Sequence, residues 1–478
     1  MSGATTDQTA TAAKGEIDTV IAALRDALGA EAVRTGEAIG ERALTDWTRM
    51  TPTRPAALIL PASTEQVSRA LAICDAARQP VVPQGGMTGL AGGAIARDID
   101  VALSLERMSG VEEIDTAAAT MTVLAGTPLE VAQQAAADAG FELALDLGAR
   151  GSCQIGGNLA TNAGGNRVIQ SGTARDQTLG LEVVLADGTV LSSLNKMVKN
   201  NTGYDLKHLF IGSEGTLGVI TRAVLRLSPP RRSRHTALVA LDHYDAAVAL
   251  LNTLRARFGN DVGAFEIMWP DFFDFGVSLT SHARSPFDAP HPMYALIEHA
   301  GLDPDDDGQA FSRVLTDALE AGALRDAVIA QSLSDARALW TIREATAEFP
   351  LRLEPVNFDV SLPIGEIGRF ADACRARFKQ CWPGQVSYYF GHIGDSNLHV
   401  TVDGRSVPGV SHEAIDRELY ALLAPYGGSV SAEHGIGVLK RAFLPVSRTQ
   451  AELQAMRAIK RALDPHGILN PGKLLPDM

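Results

Sequence analysis

The feature that most constrains this chain is a polar, glycine-punctuated stretch that no ordinary core accommodates. It reads Gly148-Ala149-Arg150-Gly151-Ser152-Cys153-Gln154-Ile155-Gly156-Gly157-Asn158-Leu159-Ala160-Thr161-Asn162-Ala163-Gly164-Gly165. Each buried polar group left unpaired costs roughly 1–3 kcal/mol. A long polar cofactor threaded along the backbone would supply the missing partners. A stretch of the same kind lies upstream, Pro83-Gln84-Gly85-Gly86-Met87-Thr88-Gly89-Leu90-Ala91-Gly92-Gly93. There the glycines let the backbone approach a ligand and turn its amides inward, a nest suited to a diphosphate. The spacing is not the G-x-G-x-x-G of dinucleotide-binding βαβ units. One such loop is weak evidence, since glycine-rich loops are common. A third, Phe210-Ile211-Gly212-Ser213-Glu214-Gly215-Thr216-Leu217-Gly218, lies in the same region.

Helical and extended patterns alternate around these loops. Ala57–Leu60 reads as a strand ended by Pro61. Ser63, with Gln66 three residues on, opens a helix to about Ala77, and Val81–Pro83 is the next strand. Leu181–Leu185 and Thr189–Leu191 form a hairpin about Ala186-Asp187-Gly188, and Val219–Leu227 is a further strand. Pro229-Pro230 makes a stiff linker. Beyond it, strands are expected at 235–241, 265–268, 294–298 and 357–361. Helices are expected at 244–257, 307–321, 333–348 and 364–379, laid on one face of an antiparallel sheet. Residues 1 to 14 are Thr/Ala-rich and expected to be disordered, with a short helix at Ile17–Leu28. Near the other end, Glu452–Leu463 is a helix whose apolar stripe (Leu453, Met456, Ile459, Leu463) is core, stopped by Asp464-Pro465.

A chain of 478 residues exceeds what one core usually serves, so two or three domains are expected. The net charge of -14 argues against nucleic acid or an anionic membrane surface as partner. Cys74, Cys153, Cys374 and Cys381 show no paired spacing and fit a reducing compartment. The N-terminal sequence lacks a basic-then-apolar leader, and no long apolar run suggests a membrane span. The expected location is the cytoplasm.

Chemistry concentrates in Gly391-His392-Ile393-Gly394-Asp395-Ser396-Asn397-Leu398-His399 and Ser431-Ala432-Glu433-His434-Gly435. Two imidazoles, one carboxylate and an open position make a typical catalytic transition-metal site. An adjacent group that is not a ligand can move a proton. The spacing of His392 and His399 alone fits unrelated loop histidines, and the Glu433-His434 pair among glycines shifts the balance. Arg343 has an ordinary reading, a surface ion pair, and a functional one. A planar guanidinium suits a carboxylate through two parallel hydrogen bonds.

With three such loops in one region, residues 54–228 resemble the FAD-binding domain of vanillyl-alcohol-oxidase-like flavoproteins, the p-cresol-methylhydroxylase type. The resemblance extends to about residue 475. It rests on Gly85-Gly86-Met87-Thr88-Gly89, Gly151 to Asn158, Asn201-Thr202-Gly203-Tyr204-Asp205-Leu206-Lys207, Ser431 to Gly437 and Asp464 to Lys473, in family order. The chain looks most like the D-2-hydroxyglutarate dehydrogenase branch, with D-lactate dehydrogenase and the glycolate oxidase flavin subunit as cousins.

The resemblance implies an α+β chain in four parts: an N-terminal segment (1–53), a two-subdomain FAD-binding domain (54–230), an antiparallel-sheet substrate or cap domain (231–425), and a helical C-terminal segment returning to the flavin (426–478). It implies FAD contacts from Pro83, Gly85, Gly86, Met87, Thr88 and Gly89 on the diphosphate loop. Gly151, Ser152, Gly156, Gly157, Asn158, Thr161 and Gly165 would surround the ribityl chain and ring, Gly218 and Ile220 the adenine side, and Asn470 the ring. The first two loops contain no histidine, so FAD is expected to be non-covalent. The resemblance further implies a metal on His392, His399 and Glu433, zinc first, with manganese, cobalt and iron as alternatives. His434 would be the base and Arg343 the carboxylate clamp. The activity implied is oxidation of a D-2-hydroxy acid, with electron-transfer flavoprotein or quinone as acceptor; a homodimer is left open.

Two departures bear on substrate. The hydroxyglutarate enzymes have asparagine two residues after the second metal histidine and lysine before the Phe-Asp pair. Here these substrate-contacting positions hold Thr401 and Asn357. Loss of the cation favours D-lactate or a larger apolar D-2-hydroxy acid over D-2-hydroxyglutarate. Other readings are the flavin subunit of a multi-component glycolate or D-lactate dehydrogenase and, with less support, a metal-dependent hydrolase without a redox cofactor.

Overall fold

The computed structural model describes residues 4–48, 50–280 and 285–476. Two compact units emerge: residues 1–164, 173–229 and 433–478 form the first, and Gly165–Gly172 with Pro230–Ala432 the second.

The first unit holds two sheets. A four-stranded sheet runs Val33–Arg34, Ala57–Ile59, Val101–Ser104, Val81–Gln84, its last three strands parallel. Ala57–Ile59 and Val101–Ser104 are buried throughout, as parallel strands covered on both faces must be. The helix Thr64–Ala76 starts as expected: Ser63 Oγ accepts the Gln66 amide, and Gln66 Oε1 accepts the Ala62 amide. It buries Val67, Ala70, Leu71 and Cys74, one helical stripe. A five-stranded antiparallel sheet runs Val111–Asp115, Thr120–Leu124, Val219–Arg226, Thr178–Val184, Val190–Ser193. Its hairpin turns at Asp187-Gly188, where Gly188 takes a φ of 87°. One apolar core joins both sheets, with Leu24, Leu71, Val123, Leu181 and Leu469 among its members.

The N-terminal helix runs Ala4–Leu28, well beyond the short helix expected. Of the stretch expected to be disordered, residues 4–14 are helical, with no glycine or proline between Ala4 and Lys14, and residues 1–3 lie outside the described residues. The last helix, Gln450–Leu463, opens with a capping box between Thr449 and Glu452. Of its stripe only Leu453 is buried; Met456, Ile459 and Leu463 are half-buried.

The second unit is built on seven antiparallel strands in the order Asp326–Ile329, Ser233–Leu241, Met293–Gly301, Val262–Met268, Ser387–His392, Asn397–Asp403, Pro355–Ser361. Helices cover both faces, not one as the sequence suggested. Successive residues of one strand show it. Phe390 stacks on Phe272 of the helix Pro270–Ser278, while Tyr389 meets Arg375 of the helix Ile367–Cys381. The cause is the burial of Val262–Met268 and Met293–Gly301 along their whole length, which leaves neither face to water. The helix expected at 333–348 is α-helical only to Arg343 and continues as a 3-10 turn, Glu344–Glu348, ahead of Pro350. Among the described residues no helix is long and apolar enough to cross a membrane.

Candidate active site

In the second unit the candidate residues collect on one face of the sheet. The strand Ser387–His392 alternates Tyr388, Phe390 and His392 onto that face. A 3-10 turn, Ile393–Asp395, with Ser396 left-handed at φ 75°, reverses the chain into Asn397–Asp403. Register then sets Phe390 and Asp359 opposite His399, Glu266 opposite His392, and Asn357 and Tyr388 opposite Thr401. The His392 and His399 rings lie 5.3 Å apart, nearly perpendicular. His399 stacks on Phe390, and the Arg343 guanidinium sits 4.8 Å over the same ring.

Glu266 holds this cluster together, and sequence reasoning missed it. One carboxylate oxygen lies 2.6 Å from His392 Nδ1, and the other accepts Arg343 Nε at 2.7 Å. A carboxylate on Nδ1 fixes the tautomer and makes Nε2 the ligating candidate. Glu266 is fully buried. Burial pushes its pKa up, but His392 and Arg343 outweigh burial and hold it below the ordinary carboxylate value. The signal was present: a charged residue inside the apolar run Phe265-Glu266-Ile267-Met268 needs a buried partner. Arg343 is therefore a buried ion-pair partner, not a surface arginine.

Thr401 is buried and donates to Asn357 Oδ1 at 2.8 Å, and Asn357 itself is exposed. Phe275, Phe349 and Tyr388 pack together beside this pair. Asp359 accepts the Ala432 amide and the Ser431 hydroxyl, each at 3.1 Å. The residue after Ala432 is Glu433, so the chain leaves the second unit from a point tied to the residue paired with His399.

In the first unit the glycine loops are in close contact. A Cβ on Gly86 would lie 2.1 Å from the Ser152 carbonyl oxygen, and one on Gly156 2.8 Å from Ala125 Cβ. A Cβ on Gly85 would come within 3.4 Å of Gly157 Cα. Met87 and Asn470 take left-handed φ values of 58° and 45°. Pro83 sits in its strand against Gly215, Gly151 and Ser152 are exposed, Thr88 is half-buried beside exposed Gly89, and Thr161 donates to the Gly157 carbonyl. Gln154 Oε1, Asn158 Nδ2 and Asn470 Oδ1 are buried without a hydrogen-bond partner. A polar ligand lying among these segments is what such orphaned atoms call for, so the residues fit a flavin. Gly218 faces Val183 and Phe210, and Ile220 lies in the core. Gly165 opens the short segment that belongs to the second unit. Glu433 and His434 lead into a turn with left-handed Gly435 and Gly437.

Residues 230–474 match the family described as FAD linked oxidases, C-terminal domain, and residues 55–193 match the FAD binding domain family. The chain belongs to the FAD-linked oxidases. This FAD-linked oxidase is 39% identical over 464 residues to a D-2-hydroxyglutarate dehydrogenase of Xanthomonas citri pv. viticola, covering 96% of the chain and 97% of the relative. It is 39% identical over 433 residues to the mitochondrial D-2-hydroxyglutarate dehydrogenase of Bos taurus, covering 90% and 79%. A solved structure of p-cresol methylhydroxylase with substrate bound shares the fold with a TM-score of 0.75 at 17% identity, covering 97% of this chain and 98% of that one. The oxidase is thus an FAD-dependent oxidoreductase resembling D-2-hydroxyglutarate dehydrogenases, with the α+β fold class expected.

Proposed function

We propose that this FAD-linked oxidase is a metal-dependent D-2-hydroxy acid dehydrogenase. The observation that carries the reading is the pair His392 and His399 on one sheet face, with His392 oriented by Glu266 and Arg343 gripped by the same carboxylate. His392, His399 and Glu433 are the proposed ligands, a set suited to zinc, manganese, cobalt or iron. Such a cation supplies a Lewis acid that lowers the pKa of a coordinated hydroxyl. FAD, held non-covalently, supplies the hydride acceptor.

The chain's own residues then have distinct tasks. Arg343 binds and orients the substrate carboxylate through Nη1, since its Nε is engaged by Glu266 and its Nη2 lies 3.3 Å from His392 Nε2. His434 takes the proton from the hydroxyl oxygen. Thr401 and Asn357 meet the remainder of the substrate. Their neutrality, with Tyr388 close by, favours a monocarboxylate or an apolar side chain over a second carboxylate. Electron-transfer flavoprotein or quinone is the proposed acceptor, and the cytoplasm the proposed location.

Dye reduction should be measured with D-lactate, larger apolar D-2-hydroxy acids, D-2-hydroxyglutarate and the L-enantiomers, before and after chelation and with zinc, manganese or cobalt restored. The reading expects D-enantiomers only and metal-dependent turnover. D-2-hydroxyglutarate as clearly the best substrate would overturn the preference, and full turnover after verified metal removal would overturn the metal role.

A further inference from the structure

Glu214 lies in the third glycine loop, nearly fully buried, with a left-handed φ of 53°. Its two carboxylate oxygens accept the backbone amides of Ile436 at 2.8 Å and Gly437 at 2.7 Å. These amides follow directly on Glu433-His434-Gly435. Its backbone is engaged as well. The Glu214 amide donates to the Ala160 carbonyl at 2.8 Å, and the Glu214 carbonyl accepts Asn470 Nδ2 at 2.7 Å. The same Asn470 nitrogen donates to Gly93. Glu214 thus ties the second and third glycine loops to the Glu433–Gly437 turn and to the C-terminal Asn470, which in turn holds the end of the first loop at Gly93.

A carboxylate is required there by donor and acceptor count. Two amides point at two oxygens, and only an ionised or singly protonated carboxyl offers an acceptor to each. Glutamine would turn an NH2 toward one of the amides. The fit is also steric: a Cβ on Gly435 would come within 2.9 Å of Glu214 Oε1, and φ at Gly435 is 79°. Burial pushes the Glu214 pKa up, opposed by the two amides and by Lys440 and Lys473. Strain at a non-glycine left-handed residue persists only where surrounding structure over-determines it, as the four bonds at Glu214 do.

We propose that Glu214 is the positioning residue for the proposed base and metal ligand, a buried strap that fixes the Glu433–Gly437 turn against the flavin loops. The inference rests on the functional reading above. Misplacement of a reacting group by about 1 Å costs on the order of a hundredfold in rate, so Glu214→Gln should lower kcat by about that factor. FAD content and substrate KM should change little, since Glu214 meets neither substrate nor the proposed FAD contacts with its carboxylate. Hydrogen exchange by mass spectrometry reads the strap directly, as loss of amide protection in a peptide spanning 433–440. Gly435→Ala keeps the carboxylate and displaces only the turn, so it stands in if Glu214→Gln fails to retain flavin, and it should show the same two losses. Retained protection and wild-type kcat in a flavin-loaded variant would overturn the strap. If the wild-type protein oxidises no D-2-hydroxy acid while the variant still loses protection, the functional reading fails and the strap stands.

Discussion

Replacement of Glu266 by glutamine tests the architecture of the candidate site most directly. Both carboxylate oxygens are used, one by His392 Nδ1 at 2.6 Å and one by Arg343 Nε at 2.7 Å. Both partners are buried. Glutamine keeps the volume, but it can accept from one partner only and presents an NH2 to the other. The guanidinium is then left buried without a counter-charge. Breaking a buried pair by removing one partner costs about 3–5 kcal/mol. At about 2–4 °C per kcal/mol for a domain of this size, the second unit should melt roughly 10 °C lower. Three of the four tryptophans (Trp269, Trp340 and Trp382) lie in that unit, so intrinsic fluorescence follows it. Flavin fluorescence follows the first unit in the same scan. A Glu266→Gln protein whose tryptophan transition coincides with wild type would refute the claim that this carboxylate anchors the cluster.

Other perturbations give equally definite expectations. Gly86→Ala drives a methyl group into the Ser152 carbonyl; overpacking of this kind costs about 1–3 kcal/mol, so the purified variant should be deficient in FAD by absorbance. Burial raises the Glu182 carboxyl, but bonds from Thr64, Arg222 and Thr221 outweigh it and depress its folded pKa. Its contribution to stability should therefore be complete above about 4.3, the unfolded value, and fade as pH falls through the lower folded value. Urea melts of wild type and Glu182→Gln should accordingly differ at pH 7 and converge in acid. Asn357→Lys places a cation beside Thr401; a charge-assisted bond of about 1.5–3 kcal/mol should raise kcat/KM for D-2-hydroxyglutarate relative to D-lactate by about tenfold or more. Chelation should abolish dye reduction while the flavin spectrum persists, and a colourless chelated protein would show that the cation is structural.

Much of this molecule is legible along the chain. Local pattern locates the Ser63 cap, the Asp187-Gly188 turn, the helix ended by Asp464 and the glycine loops, because each depends on residues within a few positions of one another. The imidazoles and the Glu-His pair are likewise visible, since the chemistry of a side chain is independent of its fold. Tertiary structure alone decided which groups those side chains meet. Glu266 and His392 are 126 residues apart, and Glu214 and Ile436 are 222 apart. Their encounters follow from strand order and register, which long-range burial sets and local periodicity does not encode. The same cause explains the short strands Val101–Ser104 and Asp326–Ile329, which acquire extended structure from neighbours distant in sequence. It also explains why Gly165–Gly172, continuous with a flavin-type loop, belongs to the second unit: Arg167 finds the buried Glu298, and Gln170 the Ala300 carbonyl, only once the sheet that carries them has formed.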